Sequence, residues 1–298
     1  MGSAIDPSSG IEFDSDGFVE VPITDLNSAI MPVLVMGPEL LVCVGTAFNI
    51  VGDGILVTAR HVVLEALSVC DKNPGSHICA LWVASGEGHE DVPDLLGGPV
   101  HVFEIVVNDE TDLALLQIRI TQNGEVVPIP ALKLSTRIPK VGSRVLGFGY
   151  TKYQVQKDEA TPELREIAVE HAFHASGGAV TQVWPGGRDS VMLPTACFET
   201  SARFDHGMSG GPVFGEDGRV CGVVSSGVDE NEDSEGYISF ASAALMVYVL
   251  GINENGEHVR IAELVERGLI EPDDFFESFR VVDRDDGRAD IGFWYQGS

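Results

Sequence analysis

Between about residue 20 and residue 250 the chain repeats one texture, in which short β-branched and apolar runs are separated by clusters of Gly, Pro, Asn and Asp. The runs fall at 32–36, 40–50, 54–58, 77–84, 100–107, 113–120, 144–149, 168–175, 180–184, 191–198, 212–214, 219–226 and 237–242. β-branched and aromatic residues fit a pleated, half-buried surface, and the clusters between them carry the side chains that turns require. Helical spacing is nearly confined to 61–68, 243–250 and the tail. About a dozen strands at such short spacing predict an all-β fold of barrels or sandwiches. No repeat of fixed period is present.

A proline-bearing stretch, 121–140, splits the strands into two sets of similar size and reads as a linker. The expected organisation is a flexible arm over 1–20, strand sets over 21–125 and 126–250, and an extension over 251–298. Within the extension, 260–265 has helical spacing that stops at Gly268, and 281–294 reads as a hairpin about Asp285-Asp286-Gly287. A structural cap on the second strand set is the expected role.

Composition changes this picture by exclusion. The 298 residues carry 46 Asp+Glu against 18 Lys+Arg, a formal charge of −28. Nucleic-acid binding needs a basic stripe that releases phosphate counterions, and these few cations are scattered. At 44% hydrophobic, the chain has enough apolar surface to fold without covalent staples. Five unevenly spaced cysteines without a CxxC pair suggest neither a disulfide framework nor a zinc site; free thiols are expected, with a single bridge such as Cys70 to Cys79 as the alternative. The first Lys or Arg is Arg60, so no secretory signal is expected. Prolines and Glu39 break the apolar stretch 30–44, and no run approaches the ~20 residues of a membrane span. The expectation is a soluble, cytoplasmic protein with no nucleic-acid or membrane partner.

Three segments carry chemistry. Val57-Thr58-Ala59-Arg60-His61 is a strand running into a short helix, with a histidine at the corner. Asn108-Asp109-Glu110-Thr111-Asp112-Leu113 is an acidic loop that ends as an apolar strand begins. Asp205-His206-Gly207-Met208-Ser209-Gly210-Gly211-Pro212 flanks a hydroxyl with glycines, which let backbone N–H groups approach a carbonyl oxygen. Each is weak alone: a corner histidine, a loop-ending Asp and a Gly/Ser turn are ordinary structural features. Gly207-x-Ser209-x-Gly211 also matches a nucleophile elbow. That elbow must open a helix and precede an acid and a histidine; here Pro212 and a β-branched run follow. Together, the order His61, Asp112, Ser209 is one of the few known for a Ser-His-Asp triad.

These residues resemble the trypsin-like (chymotrypsin-fold) serine peptidases, closest in texture to bacterial intracellular and glutamyl-endopeptidase-like members. The resemblance is carried by Gly45-Thr46-Ala47-Phe48, by the segments of His61, Asp112 and Ser209, by Val141 to Gly149, and by Gly222-Val223-Val224-Ser225-Ser226-Gly227. It covers roughly 30–250. It implies two antiparallel six-stranded β-barrels with the active site between them. It further implies His61, Asp112 and Ser209 as catalytic residues, an oxyanion hole from the amides of Gly207 and Ser209, and Ser225 supporting Asp112. Ser225, Ser226 and Gly227 would pair with the substrate backbone, and Arg203 and His206 would border the specificity pocket.

Two departures from the family pattern follow. Met208 replaces the Asp that pairs with a freshly cut N-terminus, so activation by that cleavage is not implied. Cys43 lies near a half-cystine position, but Val62 follows the histidine, so the flanking bridge is absent. Arg203 would favour an acidic P1 residue, whereas the acidic loop 229–236 on the same rim would attract basic segments and steer them by charge. That loop lacks the order of a calcium site, and His171 and His174, three apart on a strand, face opposite sides, so no metal or cofactor is expected. The leading function is a serine endopeptidase acting on protein or peptide substrates. Two alternatives stand beside it: a degenerate barrel that binds peptides without cutting them, and a peptidase gated by its arm, its tail or a regulatory protein partner. Oligomeric state is undetermined by the sequence.

Overall fold

The computed structural model describes residues 11–15, 17–21, 25–38, 40–85, 95–108, 110–157, 167–188, 195–228, 235–250, 258–274, 276, 279–283 and 289–293. Strand β1 (Phe18–Glu20) and helix α1 (Asp25–Ala29) lead into β2 (Ile30–Met36), β3 (Leu41–Val51), β4 (Ile55–Ala59), helix α2 (Arg60–Lys72), β5 (His77–Ser85), β6 (Leu95–Val107) and β7 (Leu113–Ile118). β2 to β7 close into an antiparallel barrel in the order β2-β3-β4-β7-β6-β5. A small hairpin follows, β8 (Thr121–Gln122) and β9 (Glu125–Val126), turning through Asn123 and Gly124, both at positive φ.

The second set is β10 (Arg144–Lys157), β11 (Ile167–Trp184), β12 (Cys197–Thr200), β13 (Pro212–Phe214), β14 (Val220–Val228) and β15 (Glu235–Phe240). Its order is β11-β10-β13-β14-β15-β12, and pairing of β11 with β12 closes it into a second six-stranded barrel. The expected all-β architecture of two antiparallel barrels is therefore the observed one. A 3₁₀ turn (Ala241–Met246), β16 (Tyr248–Leu250), β17 (His258–Arg260), helix α3 (Ile261–Glu266) and the hairpin β18 (Phe279–Asp283) with β19 (Ala289–Phe293) complete the chain.

Three elements differ from the sequence reading. The runs 168–175 and 180–184 are one strand, β11, which changes neighbour midway: its first part pairs with β10 and its last residues with β12. Residues 243–250 do not form a helix, because the β-branched Val247 to Val249 end the 3₁₀ turn and β16 pairs with β17. Part of the segment read as a loose arm is strand, since β1 lies against His174–Ser176 of β11 and Val21 N–H donates to Phe173 O at 2.7 Å.

One apolar cluster fills the seam between the barrels. Phe48, Val57, Leu113 and Leu115 from the first barrel meet Phe148, Tyr150, Phe173 and Phe214 from the second, with Ile261 and Leu264 of α3 packed among them. Each such side chain contributes about 1.5–3 kcal/mol on burial, so the seam resists opening. The stretch between the barrels is laced to both. Leu132 N–H donates to Asn49 O on one side, and Val220 N–H donates to Lys133 O on the other, each at 2.8 Å. All five cysteines are free thiols, Cys70 and Cys79 included. Among the described residues no helix is long and apolar enough to cross a membrane.

Candidate active site

The strand β4 ends where α2 begins, and Ala59 offers that helix no side-chain cap. The first N–H groups of a helix lack intrahelical partners and need acceptors from elsewhere. Asp112 supplies them. β7 pairs with β4 in a register that sets Leu113 opposite Ala59, so Asp112, one residue earlier, lies beside the first turn. Arg60 N–H donates to its carbonyl and His61 N–H to its Oδ1, each at 3.2 Å. The carboxylate thus acts as a remote cap, and its charge is favoured by the helix N-terminus.

The same carboxylate orients the imidazole. His61 Nδ1 lies 3.0 Å from Oδ2 and 3.3 Å from Oδ1 of Asp112. An ionised carboxylate only accepts, so Nδ1 carries the proton and Nε2 keeps its lone pair. Asp112 is 18% exposed and His61 42%, so the pair is anchored inside with its imidazole reaching solvent.

Ser209 sits in a loop held against this corner. Its carbonyl accepts from Thr46 N–H on β3 at 2.8 Å, and Gly207 O accepts from the Thr46 hydroxyl at 2.8 Å. That hydroxyl also accepts from Tyr150 N–H at 3.0 Å, so one buried threonine ties the loop to both barrels. Gly210 has φ +85°, and a Cβ there would collide with Thr46 O and Thr58 Oγ1 and stand 3.0 Å from the Ala59 amide. Only glycine lets the loop lean so closely on the β4–α2 corner. Gly207, at φ +97°, makes the preceding turn. Among the described residues neither the Gly207 nor the Ser209 N–H donates a hydrogen bond, and the Ser209 hydroxyl makes none.

The other expected site residues are placed as follows. Arg203 lies at the surface, paired within its own segment. Its guanidinium forms a two-pronged pair with Asp205, 2.7 and 3.0 Å, and lies 5.0 Å over the Phe18 ring at a side-chain exposure of 47%. Its neighbour Phe204 turns inward and packs against Gly147 and Gly236. Adjacent residues of an extended segment face opposite sides, and the aromatic ring gains more from burial than the guanidinium. Ser225 is buried, but its hydroxyl pairs with Ser239 Oγ at 2.7 Å and gives no bond to Asp112. Ser226 and Gly227 pair with Tyr237 and Gly236 in β14–β15, while His206 is exposed beside Gly207. Residues 229–234 of the acidic loop lie outside the described residues.

The departures at Met208 and Cys43 find packing reasons. Met208 is fully buried in the core of the second barrel, against Gly149. The residue facing Val62 is Gly45 rather than Cys43, and a Cβ at Gly45 would stand 2.6 Å from a Val62 methyl. Burial pushes the Cys43 thiol up to about 12. His174 is buried, bonded to Thr151 Oγ1 at 2.9 Å and stacked on Phe18. Sequence reasoning missed Thr46 and Phe204, since no spacing tells which neighbour of a known motif points inward.

A family model described as a trypsin-like peptidase domain matches residues 45–223, more than half of the chain, with His61, Asp112 and Ser209 all inside the match. The chain belongs to the trypsin-like peptidase family. Solved structures similar to this trypsin-like chain include Deg5, at 16% identity over 74% of this chain and 86% of that one, TM-score 0.47. The active form of the Rv3671c protease from M. tuberculosis gives 18% over 83% and 84%, TM-score 0.47. The MamO protease domain from Magnetospirillum magneticum gives 18% over 74% and 95%, TM-score 0.45. Likeness at that level carries no argument about activity, and the trypsin-like fold rests on the two closed barrels themselves.

Proposed function

We propose that this trypsin-like chain is a serine endopeptidase that cleaves protein substrates through an acyl-enzyme. The reading is carried by one arrangement: an Asp112-oriented His61 with Nε2 free, at the corner against which the Ser209 loop is packed. Ser209 Oγ attacks the scissile carbonyl as its proton passes to His61 Nε2, and Asp112 stabilises the imidazolium. The uncommitted N–H groups of Gly207 and Ser209 receive the oxyanion, a term worth about 3 kcal/mol per donor. His61 then returns the proton to the leaving amine, and a water, deprotonated by the same nitrogen, releases the acyl group.

The substrate backbone adds to the edge of β14. β13 pairs with β14 only as far as Val223, so from Ser225 onward that edge has no strand partner among the described residues. An acidic P1 preference has no support, since Asp205 already pairs with the Arg203 guanidinium. Among the described residues the Ser209 hydroxyl is not hydrogen-bonded to His61. Catalytic bonds of this kind often tighten only when substrate is bound.

The test is a peptide-library digest read by mass spectrometry, with Ser209→Ala as control and sulfonyl fluoride labelling in parallel. Cleavage and labelling that vanish together in Ser209→Ala support the reading. Peptide binding without cleavage, and no labelling of the native chain, would leave a binding module in its place.

A further inference from the structure

Away from the cleft, strand pairing gathers three metal-ligating side chains that the sequence keeps apart. His77 and Cys79 stand two apart on β5, so they share a face, and the β5–β6 register sets Cys79 directly opposite His101. A ring nitrogen of each imidazole and the Cys79 sulfur lie within 4.8 Å of one another. The two rings meet edge to face with centroids 5.4 Å apart. Both imidazoles are exposed, whereas Cys79 is 2% exposed, so the thiol lies beneath two surface rings. Among the described residues none of the three side chains makes a hydrogen bond, so no such bond must break for the rings to turn toward the sulfur.

We propose that His77, Cys79 and His101 form a binding site for a zinc-class divalent metal, with water in the fourth position. A thiolate with two imidazoles is a borderline-soft donor set that suits zinc and its neighbours, whereas magnesium and calcium want oxygen ligands. With Zn–S about 2.3 Å and Zn–N about 2.0–2.1 Å, a tetrahedral site needs donors about 3.3–3.6 Å apart. The exposed rings reach that spacing by turning about an ångström. As the metal–sulfur bond forms, the thiol proton leaves to solvent. The fourth position faces outward between the two exposed rings.

The site is structural by its place in the fold. His61 lies in the first turn of α2, whereas His77 opens β5 beyond the other end of that helix; its 13 residues span about 20 Å, which keeps the metal away from the proposed chemistry. It clamps β5 to β6 at the end of the hairpin away from the connection 86–94, six residues from the Ser85–Leu95 pair. Spacing alone hid it: a His-x-Cys pair on a strand is common, and only the register brings in His101, 22 residues beyond Cys79.

The test titrates cobalt(II) into the metal-stripped, reduced full-length chain and follows the thiolate-to-cobalt charge-transfer band. One equivalent should saturate the band, and zinc should displace it. His77→Ala and His101→Ala change surface residues only, and each should weaken binding by about 100-fold or more, since losing even an outer-sphere partner costs about 10–100-fold. Cys70→Ser should leave the band intact; losing it there would move the sulfur ligand off Cys79 and overturn the proposal. Absence of a band in the native chain, or a band unchanged in both histidine variants, would also overturn it.

Discussion

Asp112→Asn separates the orienting role proposed for Asp112 from its role in the fold. The carboxylate now accepts from His61 N–H at 3.2 Å through Oδ1 and from Nδ1 at 3.0 Å through Oδ2. An asparagine keeps one carbonyl oxygen, which goes on capping the first turn of α2, but its NH₂ donates where Oδ2 accepted. The imidazole then places its lone pair at Nδ1 and its proton at Nε2, so it has nothing with which to take the Ser209 proton. The loss for this exchange in a Ser-His-Asp triad is on the order of 10⁴ in kcat, or about 5 kcal/mol of barrier. Stability should fall by no more than about 1 kcal/mol, because the cap survives. Asp112→Ala removes both functions and should cost about a further 1 kcal/mol for the uncapped turn. The assay pairs kcat on a substrate drawn from the library digest with thermal melts of both variants. An Asn variant within tenfold of the native rate would refute the triad reasoning. If it melted as low as the Ala variant, the capping argument would fail.

Phe204→Ala removes a ring packed against Gly147 and Gly236 in the core of the second barrel and should cost about 3–5 kcal/mol in chemical denaturation, and a loss under about 1 would reject that packing. Asp273 is buried and accepts from Thr136 N–H at 2.6 Å, Thr136 Oγ1 at 2.7 Å and Ser135 Oγ at 3.2 Å, pinning the extension to the inter-barrel stretch. Asp273→Ala should therefore cost about 3 kcal/mol in chemical denaturation, and a loss under 0.5, about that of an ordinary surface change, would reject the latch. Burial pushes the Cys43 and Cys221 thiols up to about 12, so alkylation near neutral pH should reach half-exposed Cys70 first, as peptide mapping would reveal. The hydrogen bond from Lys133, 2.7 Å away, holds the Glu271 carboxyl below its usual value, with Arg219 adding to it. A carboxyl lowered on folding stabilises above its unfolded pKa and loses that contribution as pH falls through the lower folded value. Glu271 is 56% exposed, so Glu271→Gln should flatten acid denaturation by less than about 1 kcal/mol.

Much of the fold was legible because its signals are local. Short β-branched and apolar runs marked the strands, and the turn residues between them set their number. The three chemical segments were legible for a similar reason: a histidine at a strand–helix corner, an Asp before a buried strand and a serine among glycines are each a local fit to a backbone shape. Where the reading missed, the deciding contact was distant. The gap expected between the runs 168–175 and 180–184 vanished because β10 and β12 share one long partner strand. Phe204 turned inward and Arg203 outward because Gly147 and Gly236, far along the chain, leave room for a ring.

By itself, then, the sequence determined the all-β class, the two strand sets, the free-thiol chemistry and the trio His61, Asp112 and Ser209 as candidates, since each depends on neighbours within a few residues. The tertiary structure alone decided that Asp112 caps α2 while orienting His61, that Thr46 holds the nucleophile loop to both barrels, and that Ser225 turns to Ser239. It also decided that His101 meets His77 and Cys79. Each of these follows from strand register, and register is chosen by the packing of a whole barrel, so a one-residue slip would send every one of these side chains to the opposite face.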